Sequence, residues 1–151
     1  MKLSTRSRYS TRLMVELAIN YNKGPILLKD ISKSQEISFK YLSQLIMPLK
    51  IAGLIKSNRG AHGGYFLARP PKDIKLSEII LAVEGTLNPV ECIDNPDICP
   101  RASNCVTRDI WTEIGEKCHE LLDSYNLQKM VNLHLKKQNS RIKPFDYLIT
   151  I

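Results

Sequence analysis

The sequence is poor in the features that mark the commoner functional classes. It has no run of about eighteen apolar residues, and its opening MKLSTRSRYS is basic and polar with no apolar segment behind it, so neither a membrane span nor a secretory signal is expected. Histidine is rare (His62, His119 and His134, scattered over hairpin and helices), and no G-x-S-x-G, H-E-x-x-H or phosphate-binding loop occurs, so the chain is read as a non-enzyme. Cysteine is limited to four residues, and in the cytoplasm, where this chain is expected to reside, they should be reduced thiols. Acidic residues are also in deficit, 15 against 22 Lys or Arg.

What remains is 43% hydrophobic residues in 151, enough for one packed domain or a small domain with an oligomerisation element. The positive charge is uneven: residues 1–80 hold 14 Lys or Arg against 5 Asp or Glu, a balance of +9, while residues 81–151 hold 8 against 10, a balance of −2. A polyanion is the natural partner of such an amino-terminal half, the alternative being an ordinary solvated surface.

Helical periodicity runs from Arg8 to Asn22 through Tyr9, Leu13, Leu17 and Tyr21, and Gly24-Pro25 ends it. A short helix is expected over Leu28 to Gln35, and a third over Phe39 to Ala52, with Ser38 as N-cap and Leu42, Leu45, Ile46 and Leu49 as the buried stripe. Pro48 predicts a kink or loosened turn there. Strands at Leu54 to Asn58 and Tyr65 to Arg69 flank the turn RGAHGG. Three helices followed by a glycine-rich hairpin give a mainly α fold with a small β-hairpin wing, the winged helix-turn-helix order, over residues 1–75.

In that arrangement the amino-terminal residues of the third helix meet base edges. Ser38, Lys40, Tyr41, Ser43 and Gln44 are the candidate DNA-binding residues there, and the Gln44 amide suits adenine. Arg59, His62 and Gly63 at the wing tip are placed for the minor groove and for close approach to phosphate, and Lys2, Arg6 and Arg8 form a mobile phosphate-binding arm. The alternative is that Tyr41 and Gln44 only face solvent and that the glycines serve the turn.

Residues 76–137 read as dimerisation helices: Leu76 to Glu84 capped by Gly85, then Thr107 to Tyr125, then Leu127 to Lys137. Ile110, Trp111, Ile114, Cys118, Leu121 and Leu122 share one face of the long middle helix, which is expected to pack on its copy in a homodimer; intramolecular packing is the alternative. Residues 138–151 form an apolar, β-prone tail expected to dock on the body or the partner subunit.

Within residues 86–107 the stretch ECIDNPDICPRASNC sets Cys92, Cys99 and Cys105 inside fourteen residues. Three readings are open for these thiols: an iron–sulfur cluster (2Fe–2S or 4Fe–4S), a structural zinc, or a thiol–disulfide switch assisted by Arg101. A complete ligand set is normally four, with Glu91, Asp94, Asp97 and Cys118 as candidate fourth donors and His119 the weakest; Cys118 reads as core. Pro96 and Pro100 are expected to fix turns in a loop without short helices.

The segments STRSRYSTRLMVELA, ISFKYLSQLIMPL, GLIKSNRGAHGGYFLARPP and IILAVEG resemble those of the IscR, NsrR and CymR family of bacterial winged-helix regulators, over nearly all of residues 1–135. The resemblance implies a homodimeric repressor or activator whose affinity for double-stranded operator DNA depends on an iron–sulfur cluster held by Cys92, Cys99 and Cys105, controlling cluster assembly, iron or cysteine and sulfur metabolism. The apolar tail resembles CymR-type members, which implies instead a cluster-free regulator acting with a partner enzyme. Neither of the family's fourth ligands is present: Arg108 and Arg8 stand at those positions. The first cysteine spacing is one residue longer than the family's, and Ser43 replaces a glutamate that tunes operator choice.

Overall fold

The computed structural model describes residues 3–141; Lys2 and the tail from Ile142 to Ile151 lie outside them. The first helix, α1 (Thr5–Ile19), begins three residues before the expected Arg8. Its start is set by Ser4, whose hydroxyl accepts from the Ser7 N–H at 3.1 Å, ahead of the first apolar residue of the periodic stripe. Arg6 and Arg8 therefore ride on the first two turns of a helix and do not belong to a mobile arm.

Helix α2 (Leu28–Gln35) follows, and Glu36 turns the chain in the left-handed conformation, φ 52°. Helix α3 (Phe39–Ile51) is capped by Ser38, whose hydroxyl accepts from the Tyr41 N–H at 3.2 Å. The helix runs unbroken through Pro48. One backbone donor is lost there, but Leu45, Ile46 and Leu49 on either side are buried, and their packing holds the turn that the proline weakens.

Strands β1 (Ile55–Asn58) and β2 (Gly64–Leu67) pair antiparallel in the register Ile55 with Leu67 through Asn58 with Gly64. The sequence did not reveal the third participant: Ile26 exchanges both backbone hydrogen bonds with Tyr65, at 2.9 and 2.8 Å. Gly64 makes this approach possible, for at φ +147° a Cβ would lie 2.5 Å from the Ile26 carbonyl oxygen.

A 3-10 turn at Pro71–Asp73 leads into α4 (Leu76–Glu84), which Gly85 closes at φ +81°. Glu78 reaches back to accept from the Lys75 N–H at 2.8 Å. After the cysteine loop, which includes a one-turn helix α5 (Glu91–Asp94), come α6 (Val106–Asp123) and α7 (Leu127–Arg141). The junction of the last two pairs with the segment before α4, through Leu76 N–H to Tyr125 O and Leu127 N–H to Ile74 O.

One apolar cluster joins Leu13, Met14 and Leu17 of α1 to Leu42, Leu45 and Leu49 of α3, Ile79 and Val83 of α4, and Leu127 and Val131 of α7. Each fully buried Leu or Ile contributes about 1.5–3 kcal/mol. Helix α6 stands apart, with Gly115 its one buried residue; its expected apolar face leaves Ile110, Trp111 and Leu121 at 49%, 41% and 62% exposure. Leu133 and Leu135 of α7 are also exposed.

Gly64→Ala should lower stability by about 2 kcal/mol or more, combining backbone strain with the collision at Ile26. Gly24→Ala, also at positive φ but with nothing within 4 Å of the new Cβ, should lose only about 1 kcal/mol. Urea midpoints of the two variants measure the difference, and equal losses would remove the claimed role of the close approach.

Candidate nucleic-acid interface and cysteine loop

The turn between α2 and α3 is fixed from both sides. The Ser32 hydroxyl donates to the Ile37 carbonyl at 2.7 Å, and Ile37 is buried. From α1, the Arg12 guanidinium donates to the carbonyl of Gln35 and, at 3.1 Å, to its side-chain oxygen, while the Gln35 amide donates to Glu16 at 2.7 Å. Arg12 also lies 5.5 Å from the centre of the Tyr9 ring, and Tyr9 meets Tyr41 edge-on at 5.8 Å. Tyr41 is accordingly half-buried, not exposed, and anchors the start of α3 to α1. Sequence reasoning missed Arg12, Glu16 and Gln35, because polar residues on an outer helix face carry no periodic signal that distinguishes a tether from a solvated side chain.

On the outer side of α3, Lys40 and Gln44 are exposed, whereas Ser43 is half-exposed with its hydroxyl turned back to the Phe39 carbonyl at 2.9 Å. Lys50 donates to the Ser57 hydroxyl at 3.0 Å, tying the end of α3 to the wing. Between helix and wing runs a groove of about 550 Å³ bordered by Phe39, Ser43, Lys50, Arg59 and Gly60, with Lys29 on its α2 side. His62 is exposed and borders a separate hollow with Lys23 and Asp30. Gly63 is buried, and a Cβ there would lie 2.5 Å from the Asn58 carbonyl oxygen, so this glycine serves the turn itself. Gly60, at φ +107° with open space around it, is where backbone is accessible.

The cysteine loop contains α5 and two 3-10 turns, Pro96–Ile98 and Ala102–Asn104, where only proline-fixed turns were expected; Pro96 opens the first of them. The loop is cross-braced. Asp94 accepts from Thr86 at 2.7 Å and from the Asn88 amide at 2.6 Å, and Arg108 donates to the Cys92 carbonyl at 2.9 Å. A Cβ on Gly115 would meet Asn88, so the loop lies directly against α6.

Cys92, Cys99, Cys105 and Cys118 are all free and half-buried; Cys118 is not core, since α6 buries almost nothing. Cys105 is the N-cap of α6, and the Thr107 hydroxyl at 3.1 Å, with the backbone N–H of Arg108, holds its thiol below the ordinary range. These neighbours, and not Arg101, favour the thiolate.

In donor type, three thiols with one favoured as thiolate fit an iron–sulfur cluster. In arrangement, no three His, Cys, Asp or Glu side chains gather into a metal-binding group among the described residues. Of the candidate fourth donors, Asp94 is engaged through both oxygens, and Cys118 lies thirteen positions beyond Cys105, about 20 Å along α6. Glu91, Asp97 and His119 are exposed.

The other end of the loop is tied to α1. Glu84, the last residue of α4, accepts hydrogen bonds from the hydroxyls of Ser4 and Ser7, which together hold its carboxyl below the ordinary value. A carboxylate at the amino terminus of α1 also complements the helix dipole.

Comparison with known proteins gives a consistent result. A family model described as "Rrf2: Iron-dependent Transcriptional regulator" matches residues 3–133. The chain is 42% identical over 131 residues to the protein rrf2 of Nitratidesulfovibrio vulgaris, covering 87% of each chain. Among solved structures it is similar to CymR, the global cysteine regulator of B. subtilis (38% identity, TM-score 0.73, 88% of this chain and 98% of that one). It is equally similar to T. potens IscR (37% identity, TM-score 0.74, 99% and 97%).

Because the carboxyl of Glu84 titrates below its usual 4.5 in the folded chain, its contribution is complete above about that pH and fades as pH falls through the lower folded value. Glu84→Gln, which keeps an acceptor but cannot titrate, should be less stable than the wild type at pH 7, and the gap should close on acidification below 4.5. Thermal midpoints across pH 3 to 7 measure it; a gap that stays constant would place the effect elsewhere.

Proposed function

The chain belongs to the Rrf2 family of transcriptional regulators, whose members bind DNA, and from that premise we propose that it is a homodimeric operator-binding regulator with a sensing site on the Cys92, Cys99 and Cys105 loop. The observation that carries the DNA reading is the groove between α3 and the wing, where Lys29, Lys50 and Arg59 border a hollow shared with Phe39 and Ser43 of α3. Lys40, Ser43 and Gln44 face base edges in this reading, Arg59 and Gly60 meet the backbone, and Arg6 and Arg8 reach flanking phosphate from the first turns of α1. Ser38 and Tyr41 are positioning residues, the one capping α3 and the other bracing it on Tyr9.

The homodimer reading is supported by the exposed face of α6, where Ile110, Trp111, Ile114 and Leu121 present one apolar stripe that a second copy would cover around a two-fold axis. Cys92, Cys99 and Cys105 would hold the iron–sulfur cluster, which supplies a one-electron couple sensitive to oxygen and iron supply. The chain's own part is transmission. Arg108 and Gly115 hold the loop to α6, and Glu84 at its other end holds the start of α1, so a rearranged loop shifts the dimer helix relative to the DNA-facing helices. A second reading, a cluster-free regulator of cysteine metabolism acting with a partner protein, is favoured by the absence of a gathered donor set among the described residues and by the likeness to CymR.

Anaerobic purification with iron and sulfide analysis separates the two: absorption near 400 nm, lost in the Cys92, Cys99 and Cys105 triple Ala variant, is expected for the first, and a colourless, metal-free protein would overturn the first and support the second. Binding to duplex DNA should weaken steeply with salt, and Lys40→Ala should reduce the slope of log K against log salt by about one. An unchanged slope would remove Lys40 from the interface.

A further inference from the structure

We propose that Phe39 is a specificity-determining residue that reads thymine, by packing its ring on the C5-methyl group in the major groove; the inference rests on the DNA-binding reading above. Phe39 is the first residue of α3 and stays 54% exposed, while the apolar residues beside it on the same helix, Leu42, Leu45 and Ile46, are at most 3% exposed. The core therefore has no use for this ring, although the chain bears the cost of keeping it in water.

Its surroundings identify the occupant. Phe39 borders the groove between α3 and the wing, together with Lys29, Lys50 and Arg59, and no carboxylate borders that groove among the described residues. An apolar ring inside a ring of cations, on the part of a recognition helix that reaches base edges, meets DNA and not an acidic or apolar protein face. Met47 and Ile51, the other exposed apolar residues of α3, are 59% and 82% exposed and do not border it. The thymine methyl is the apolar feature that base edges offer in the major groove, and phenylalanine is among the side chains that pack on it.

The ring is also held in place. Ser38 caps the first turn through the Tyr41 N–H, the Ser43 hydroxyl returns to the carbonyl of Phe39 itself, and Tyr41 braces that turn on Tyr9. The backbone that carries Phe39 is thus fixed before DNA arrives, so the contact needs ordering of only two side-chain torsions.

The test is a chemical double-mutant cycle on the full chain. A preferred duplex is first selected from a random-sequence library, and each thymine in its half-sites is replaced singly by deoxyuridine, which removes the methyl alone. At one position per half-site, wild-type affinity by fluorescence anisotropy should fall about fourfold, the effect of one buried methyl. Phe39→Ala should bind the thymine and deoxyuridine duplexes alike, and Phe39→Leu should keep part of the discrimination. Since Phe39 is outside the core, an unchanged thermal midpoint confirms that both variants are folded. The inference is overturned if the selected half-sites contain no thymine, if no deoxyuridine substitution weakens binding, or if Phe39→Ala discriminates as the wild type does. A library from which no sequence is enriched overturns the operator-binding reading itself and this inference with it.

Discussion

Burial of the α1 face is the constraint on which the rest of the structure depends. Leu13, Met14 and Leu17 are at most 2% exposed, and no single neighbour can cover them. Helix α3 closes one side, α4 and α7 close the other, and β2 covers the end near Tyr21 and Ile26. The amino-terminal half and helices α4 and α7 are therefore parts of one core, with α1 as the shared layer. A movement of α4 or α7 cannot leave α1 unchanged, because close-packed side chains transmit displacement.

Helix α6 lies outside that core. It buries only Gly115 among its residues, and among the described residues it is held by polar ties and by the close fit of Gly115 on Asn88 and Pro89. Asp123 accepts from Lys75 at 2.6 Å and from the Ser77 hydroxyl. The Lys75–Asp123 pair is 50% and 32% exposed, and such surface pairs contribute about 0–1 kcal/mol. An apolar stripe of Ile110, Trp111, Ile114 and Leu121 that gains about 25 cal/mol for every Å² removed from water outweighs such ties once a second surface is offered. The orientation of α6 is thus the property most open to being set from outside the chain.

How much the sequence disclosed follows from how local each determinant is. The expected bounds of α2 and α4, Leu28 to Gln35 and Leu76 to Glu84, match the structure, and Gly85 marks the end of α4. The cap of α3 was readable from Ser38, whereas the spacing of Cys92, Cys99 and Cys105 left the chemistry of those thiols open. The start of α1 was not, because Ser4 and Ser7 are fixed there partly by Glu84, some eighty positions away. Tyr41 looked like an outward residue until Tyr9 arrived beside it, and Gly63 looked accessible until the hairpin closed over it. The exposed Phe39 was read only as a helix start. In each case a partner distant in sequence decided the role, and periodicity does not encode such partners.

The placement of Glu84 bears on what kind of coupling this fold can support. Loop 86–107 begins two residues after a carboxylate bonded to the first turn of α1, and its last cysteine, Cys105, is the cap of α6. Any ligand or oxidation state that distinguishes two loop arrangements would therefore be linked at one end to the helix that braces α3 through Tyr9 and the end of α2 through Arg12, and at the other to the helix with the uncovered face. Linkage is reciprocal, so in the proposed reading operator binding would alter the affinity of the loop for a ligand by the same factor as that ligand altered operator affinity. Hydrogen bonds to charged groups are worth about 1.5–3 kcal/mol each and less on an exposed carboxylate, so the two bonds of Glu84, which is exposed, carry roughly the size of ordinary allosteric couplings. A much larger effect on DNA affinity would have to come from the other end, through the spacing of two recognition helices by α6.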